Sequence, residues 1–218
     1  PSSKVKFNAY VDFFRFPWLK FRVYAPSQGQ EWLARLSYQP QKSLLASVQV
    51  KQERKMRNEA TEEAAAPTYT LVPILKNQVQ ANLELGVSPE LSFQSRILWN
   101  QVILNQSKSQ GWMLLQDISL KREKWKLTAR MALFDTETFD NRLYAYEHNA
   151  LGTFAIPAFS GKGSRQYLLV QYRVHPKLTA YLRIAQTIYA DREVISSGMQ
   201  EIAGPKQTDT VLVLRYAL

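Results

Sequence analysis

Apolar and polar residues alternate along most of this chain with a period of two. In NQVQANLELGV, Val79, Ala81 and Leu83 fall on one side of an extended strand, whereas Gln78 and Gln80 fall on the other. The same alternation runs through SLLASVQV, WKLTARMAL and KLTAYLRIAQTIYA. Successive side chains of a strand point to opposite faces of a sheet. The pattern therefore predicts an all-β antiparallel fold whose strands have one apolar face and one polar face.

The length of the alternating segments indicates a membrane. Strands of soluble proteins usually run about 5–6 residues, whereas a strand crossing a bilayer at a tilt needs about 9–11. Several segments reach or exceed the second length, which favours a transmembrane β-barrel over a soluble sandwich. The predicted strands are 4–14, 19–25, 31–39, 43–54, 77–87, 90–104, 111–121, 124–135, 164–174, 177–191 and 207–218.

Short and long connections alternate, as they do in outer-membrane barrels. The long polar stretches 52–76, 136–163 and 191–206 are predicted to be extracellular loops or, for 136–163, a hairpin. That stretch must leave and return on the same side, so it is either a hairpin of two strands, which we favour, or an outer loop folded inward. The strand count is odd in both cases, whereas single-chain bacterial barrels have even counts. We therefore expect 1–218 to be one barrel domain or the C-terminal portion of one, with upstream strands missing.

The last strand, TDTVLVLRYAL, carries an apolar stripe formed by Leu212, Leu214 and Tyr216. A strand that closes a membrane barrel pairs with the first strand and must be apolar on its lipid side. The segment also resembles the C-terminal assembly signal of outer-membrane barrels, although it ends in Leu218 rather than in Phe.

Aromatic side chains near predicted strand ends fall on the apolar faces. Trp and Tyr form girdles at both interfaces of membrane barrels; the alternative is that these residues belong to an ordinary core. The predicted interface aromatics are Trp32, Tyr38, Trp99, Trp112, Trp125 and Tyr216.

Charged residues occupy the polar faces of the same strands, and the chain has a net charge of +10. Such residues either pair across a small closed interior or line a wet channel, and both interpretations stay open. If water fills the interior, the excess of arginine favours anionic solutes. The predicted lumen-facing charges are Arg35, Glu84, Arg96, Asp117, Arg130, Arg173, Arg183 and Arg215.

Composition gives little indication of catalysis. The absence of cysteine excludes disulfides, thiolate metal sites and a cysteine nucleophile. His148 and Asn149 are adjacent, so on a strand their side chains point to opposite faces and cannot cooperate as a hydrolase would require. No metal-ligand spacing is present. We expect a protein that is not an enzyme and has no cofactor.

Several segments resemble the C-terminal region of large Bacteroidota outer-membrane proteins that contain an upstream helix-hairpin-helix domain. They are FRFPWLKFRVYAPSQG, SQGWMLLQDISLK, ALFDTETFDNRLYAYEHNALGTFAIPAFSGKGSRQYLLVQYRV and QTIYADREVISSGMQEIAGPKQTDTVLVLRY. The resemblance implies a bacterial outer membrane. It does not imply any DNA-binding residue in this chain, because no segment of the sequence matches the helix-hairpin-helix domain.

The sequence thus predicts an integral outer-membrane β-barrel that acts as a pore or as a scaffold in an envelope assembly. One alternative is an outer-membrane component of DNA uptake, with nucleic acid bound only through an absent upstream region. Another is a soluble β-barrel that binds an apolar ligand. The expected partners of the first hypothesis are outer-membrane lipid, lipopolysaccharide and other envelope proteins.

Overall fold

The computed structural model describes residues 4–61 and 68–217, and strands dominate both ranges. Within these ranges no helix is long and apolar enough to cross a bilayer. The helical segments there are two 3-10 turns, Phe139–Asn141 and Gly198–Gln200. The strands in chain order are β1 (Val5–Phe16), β2 (Ser27–Gln41), β3 (Leu44–Thr61), β4 (Thr68–Gly86), β5 (Leu91–Leu104), β6 (Ser107–Lys121), β7 (Trp125–Thr136), β8 (Leu143–Tyr144), β9 (Ala158–Phe159), β10 (Lys162–His175), β11 (Leu178–Tyr189), β12 (Val194–Ile195), β13 (Ile202–Ala203) and β14 (Lys206–Tyr216).

Ten strands form one antiparallel sheet in the order β1-β2-β3-β4-β5-β6-β7-β10-β11-β14. Each strand pairs with the next long strand along the chain, so the sheet is an up-and-down meander. The remaining strands form two small ladders, β8 with β9 and β12 with β13. The predicted all-β antiparallel fold is confirmed, and the meander is the connectivity of membrane barrels.

The sheet is open within the described residues. The last strand, β14, pairs with β11 on one side, and no pairing joins β14 to β1. The expected pairing of the final strand with the first strand of a complete barrel therefore stays a prediction. A barrel must pair every edge that faces hydrocarbon, so this sheet is part of a barrel wall rather than a closed barrel.

The two faces of the sheet differ in what they contact. We call the face covered by residues 137–161 the inner face and the opposite one the outer face. Apolar side chains on the outer face have no second layer packed on them: Leu212 and Leu214 are 68% and 67% exposed, and Ile97 is 55% exposed. Large apolar surfaces exposed in this way mark a membrane or partner contact.

Residues 137–161, which we call the inner segment, fold back onto the inner face. A buried apolar cluster joins wall and segment, and the ring centroids of Phe134 and Phe159 lie 5.3 Å apart. The favoured hairpin of two barrel strands was wrong, because β8 and β9 pair only with each other, in a two-residue ladder outside the main sheet. Gly152 and Pro157 interrupt the alternation and prevent long strands here. The inner segment is therefore an inward-folded loop, which was the alternative to the hairpin.

Two other elements differ from the predicted ones. No strand forms over 19–25, where a tight loop bridges Lys20 to Val23 and gives Arg22 a φ of 62°. Pro17 and Pro26 bracket a stretch too short to pair as a strand, although its residues alternate. In addition, β3 and β4 extend far into 52–76 as a paired hairpin, with register from Leu44↔Leu85 to Thr61↔Thr68. Much of 52–76 is therefore paired strand rather than loop, in spite of its polar composition. The low-complexity stretch NEATEEAAAP falls partly outside the described residues.

A charge placed on the outer face tests which solvent contacts it. We expect Ile97→Arg to lower the free energy of unfolding in phospholipid bilayers by about 2–4 kcal/mol, because hydrocarbon does not solvate a guanidinium. Ile97 lies at the middle of β5, opposite Ala81 of β4. The measurement is denaturant unfolding followed by tryptophan fluorescence.

The matched control is Gln80→Arg, one position from Ala81 on β4 and on the inner face. It should change stability far less. Equal losses in the two variants would show that the outer face does not contact lipid.

Candidate functional site

A carboxylate lies at the centre of the inner segment's attachment to the wall. The Glu147 side chain is 0% exposed. Its oxygens accept two hydrogen bonds from Arg165, Nε to Oε1 at 2.8 Å and Nη2 to Oε2 at 3.1 Å. Nη2 of Arg183 donates a third, to Oε2. Two arginines on adjacent strands, β10 and β11, therefore hold one carboxylate of the segment.

Arg165 also connects three neighbouring strands. Its Nη1 donates to Thr187 Oγ1 at 2.7 Å and lies 3.4 Å from Asp209 Oδ2. Thr187 is the direct partner of Arg165 in the ladder, so both side chains face inward from one register position. The carboxylate of Asp209 extends the network to β14.

A second ion pair lies on β6 and β7. Asp117 and Arg130 are register partners, and the guanidinium donates to both carboxylate oxygens at 2.5 Å. Nη1 of Arg130 donates to the Tyr146 carbonyl oxygen at 2.6 Å. Asp117 is 4% exposed and Arg130 is 5% exposed. This pair therefore holds the backbone of the segment one residue before Glu147.

Tyr167 joins the two ion-paired groups. The guanidinium carbons of Arg130 and Arg183 lie 5.5 Å and 5.0 Å from the centroid of its ring, within cation–π range. Its hydroxyl oxygen accepts the backbone N–H of His148 at 3.2 Å. The aromatic ring thus separates two guanidiniums while it binds the segment between them.

A pair of amides attaches the beginning of the segment to the wall. Asn100 Nδ2 donates to the Asn141 carbonyl oxygen at 2.8 Å, and Asn141 Nδ2 donates to Ser109 O at 3.0 Å. Both asparagines are 0% exposed. A Cβ at Gly111 would lie 2.9 Å from Thr136 Cγ2 and 3.1 Å from Asn141 O, so glycine permits this close approach.

The charges of this attachment cluster balance. Three guanidiniums, on Arg130, Arg165 and Arg183, meet three carboxylates, on Asp117, Glu147 and Asp209. All of these charges except the 40% exposed Asp209 carboxylate are desolvated, and desolvated charges are costly unless each is paired and hydrogen-bonded. The cluster therefore fixes the inner segment to the wall and leaves no net charge for a ligand.

All eight predicted lumen-facing charges lie on the inner face, but only three belong to the buried cluster: Asp117, Arg130 and Arg183. Arg35 and Arg96 lie on more accessible wall, where Arg96 Nε donates to Asn82 Oδ1 at 2.6 Å. Glu84 is exposed and accepts a hydrogen bond from Gln94. Arg173 and Arg215 are exposed near the short-turn end. The interpretation of paired interior charges therefore fits Asp117, Arg130 and Arg183, and a wet channel lined by the other five stays a prediction.

The six predicted interface aromatics project from the outer face, away from the buried core of the described residues. Trp99 pairs with Trp112 across β5 and β6. Trp125 stacks on Tyr172, with 4.1 Å between ring centroids. Trp32 donates to Gln52 Oε1 at 3.1 Å. Tyr38 and Tyr216 are 48% and 60% exposed.

Sequence reasoning missed Glu147 and Arg165. Arg165 was detectable, because it has the same parity along β10 as Arg173, which was selected as inward-facing. Glu147 gave no such signal. It lies outside the long strands, and only the folding of the segment brings it to two arginines that are 18 and 36 residues away.

No known family model and no curated protein matches the chain. Among solved structures, it is similar to the copper transporter OprC, with a TM-score of 0.55 and 10% identity over 96% of this chain and 38% of that chain. It is also aligned with the NanC porin at a TM-score of 0.40, 10% identity, and 96% and 99% coverage. The chain spans well under two thirds of the transporter's length. The first similarity shows the fold, which is that of an outer-membrane β-barrel wall.

Removing the Glu147 charge should release the segment. We expect Glu147→Gln to cost about 3–5 kcal/mol of stability, because it leaves the buried Arg183 guanidinium without a carboxylate and Arg165 with only the partly exposed Asp209. The readouts are denaturant unfolding and limited proteolysis within 137–161.

Glu90→Gln is the control, since Glu90 forms an exposed ion pair with Arg122 at 3.2 Å. Exposed pairs contribute about 0–1 kcal/mol. A Glu147→Gln protein as stable and as protease-resistant as the control would contradict the role of Glu147.

The segment also has a pH-sensitive group. Burial lowers the pKa of the His148 imidazole below its ordinary value of 6.5, and the nearby Arg130 charge lowers it further, although Asp117 opposes the shift. The stability that neutral His148 contributes is therefore present above about pH 6.5 and is lost as the pH falls through the lowered pKa. We expect NMR titration to show this lowered pKa.

Denaturant unfolding between about pH 7.5 and 5 measures the consequence. The wild type should lose more stability on acidification than His148→Gln. If the two proteins lost stability in parallel as the pH fell, protonation of His148 would not be coupled to unfolding.

Proposed function

We propose that this chain forms part of the wall of a non-enzymatic pore in the bacterial outer membrane. The inner segment narrows the pore from inside. The single observation that carries the proposal is the difference between the two faces. The outer face is apolar and uncovered, and much of the inner face is polar and accessible.

The wall around β3, β4 and β5 provides the water-facing lining. Polar side chains there bond to one another; Gln80 and Asn82 are half-buried, whereas Ser47 is 5% exposed. Gln80 Nε2 donates to Asn82 Oδ1 at 3.1 Å, and Asn82 Nδ2 donates to Ser47 Oγ at 3.3 Å. Polar lining of this kind is typical of water-filled barrels. It favours a pore over a scaffold with an apolar, packed interior.

The inner segment supplies a constriction. It is attached through Glu147, through the Tyr146 carbonyl oxygen and through Asn141, at successive points along the wall of β5 to β11. A loop with buried charged contacts at several points stays in place while solute passes. The remaining free width then lies on the side of β1 to β4.

Other observations support the outer-membrane location. The solved structure whose fold the chain shares is named as a transporter. The resemblance to Bacteroidota outer-membrane proteins supports the same compartment, with lipid and lipopolysaccharide against the outer face. A soluble barrel that binds an apolar ligand is disfavoured, since its apolar side chains would line the interior. A role in DNA uptake rests on an upstream region and stays a prediction.

Planar-bilayer recordings test the pore. The full-length protein, purified in detergent and reconstituted, should give discrete conductance steps. Glu147→Gln should give larger or more frequently fluctuating steps, because the segment loses its buried attachment.

Glu90→Gln should conduct like the wild type. A folded, inserted protein that gives no conductance in wild-type or Glu147→Gln form would refute the pore and leave the scaffold role.

A further inference from the structure

A cavity of about 430 Å³ opens on the inner face, between the loop at 17–26, the strands β3 and β4, and the inner segment. Ligand pockets typically have volumes of about 300–1,000 Å³. The cavity is separate from the balanced attachment cluster, whose arginines and carboxylates do not line it. Six basic side chains line it: Lys20, Arg22, Lys55, Arg57, Lys76 and Arg142.

The basic residues of the cavity exceed its acids. Glu53 and Asp140 are the acidic residues of the lining, so the formal balance is six minus two, or +4. Both acids are already paired: Glu53 lies 3.1 Å from Lys55 Nζ, and Asp140 lies 2.5 Å from Arg57 Nη1. The remaining four cations therefore have no carboxylate partner in the lining.

Lys76 and Arg142 are the best placed of these four. The half-buried Lys76 ammonium has no hydrogen bond or ion pair among the described residues. Arg142 is held by its own neighbours: Nε donates to Tyr144 Oη at 2.6 Å and Nη1 to Phe139 O at 2.9 Å. Its Nη2 is left unbonded within the described part of the chain. The cavity therefore offers two cationic hydrogen-bond donors, the Lys76 ammonium and the Arg142 guanidinium, and the second is held in a fixed orientation.

The rest of the lining is apolar. Its accessible apolar surface comes from Phe21 and Tyr144, which are 88% and 49% exposed, whereas Val23, Ile74 and Val102 are almost fully buried. Phe21 lies in the 17–26 loop, and Tyr144 lies in β8. An inorganic ion would contact only the cationic part, whereas a larger anion would also cover this apolar surface.

We infer that the cavity binds an organic anion, whose carboxylate or phosphate lies between Lys76 and Arg142 and whose apolar part lies against Phe21 and Tyr144. The bound anion offsets the mutual repulsion of the cations. This site goes beyond the pore proposed above, because binding does not require conduction.

Calorimetric titration of the full-length protein in nonionic detergent at low salt tests the site. Phenyl phosphate is the probe. Inorganic phosphate is the control that carries the charge without the ring, and neutral benzyl alcohol is the control that carries the ring without the charge. We expect phenyl phosphate to bind at least tenfold more tightly than inorganic phosphate, and benzyl alcohol not to bind measurably.

Variants assign the site. Lys76→Met should weaken phenyl phosphate binding at least tenfold, and Lys76→Arg should keep it close to wild type. Lys126→Met is the matched control, since Lys126 lies on the inner face of β7, outside this cavity; it should leave the affinity unchanged. The proteolysis pattern of the inner segment confirms that each variant is folded.

Three results would overturn the inference: no binding of phenyl phosphate by the wild type, an equal loss in Lys76→Met and Lys126→Met, or inorganic phosphate bound as tightly as phenyl phosphate. Either of the first two results would show that the proposed site does not exist. The third would show that the apolar surface does not contribute to binding. A protein that fails to conduct but binds phenyl phosphate as expected refutes the pore alone.

Discussion

Backbone hydrogen bonding in hydrocarbon is the constraint on which the whole structure depends. A bilayer offers no water to an unpaired N–H or C=O, so spanning strands must pair with their neighbours. Pairing fixes the alternation of faces, and the lipid then selects apolar residues for one of them. The register of Ala81 with Ile97 and of Trp99 with Trp112 follows from this requirement. Within residues 4–61 and 68–217, the outer edges of β1 and β14 have no paired strand, so the requirement is not met there.

The inner face obeys a different rule, because it contacts water, the inner segment or both. Where the segment covers the wall, apolar side chains such as Met113 and Phe134 face inward beside the ion pairs. Where the wall is uncovered, amides and single arginines predominate. The inner face therefore divides into a dry, charge-balanced part and a wetter, cationic part. The first holds the structure together, and the second is available to solutes.

Most of the sheet was predictable from sequence, because period-two alternation is a local signal. The strand 90–104 was placed almost at the bounds of β5, and all six selected aromatics fall on one face. The prediction of a strand over 19–25 was wrong because alternation does not show whether a neighbouring strand is available for pairing. The prediction of a hairpin over 136–163 was wrong because the observed loop, which folds onto the inner face, depends on contacts with residues distant in sequence. Glu147 could not be found for the same reason: its arginines come from strands formed later in the chain.

The hairpin of β3 and β4 has a consequence for what lies outside the membrane. With 18 residues at about 3.3 Å each, β3 is roughly 60 Å long, and even at a 45° tilt its rise exceeds a hydrocarbon layer of about 30 Å by roughly 10 Å. The hairpin therefore stands above the bilayer as a paired ribbon on the side of the long connections. Any molecule that approaches the membrane from that side would touch this ribbon before it reached the barrel interior.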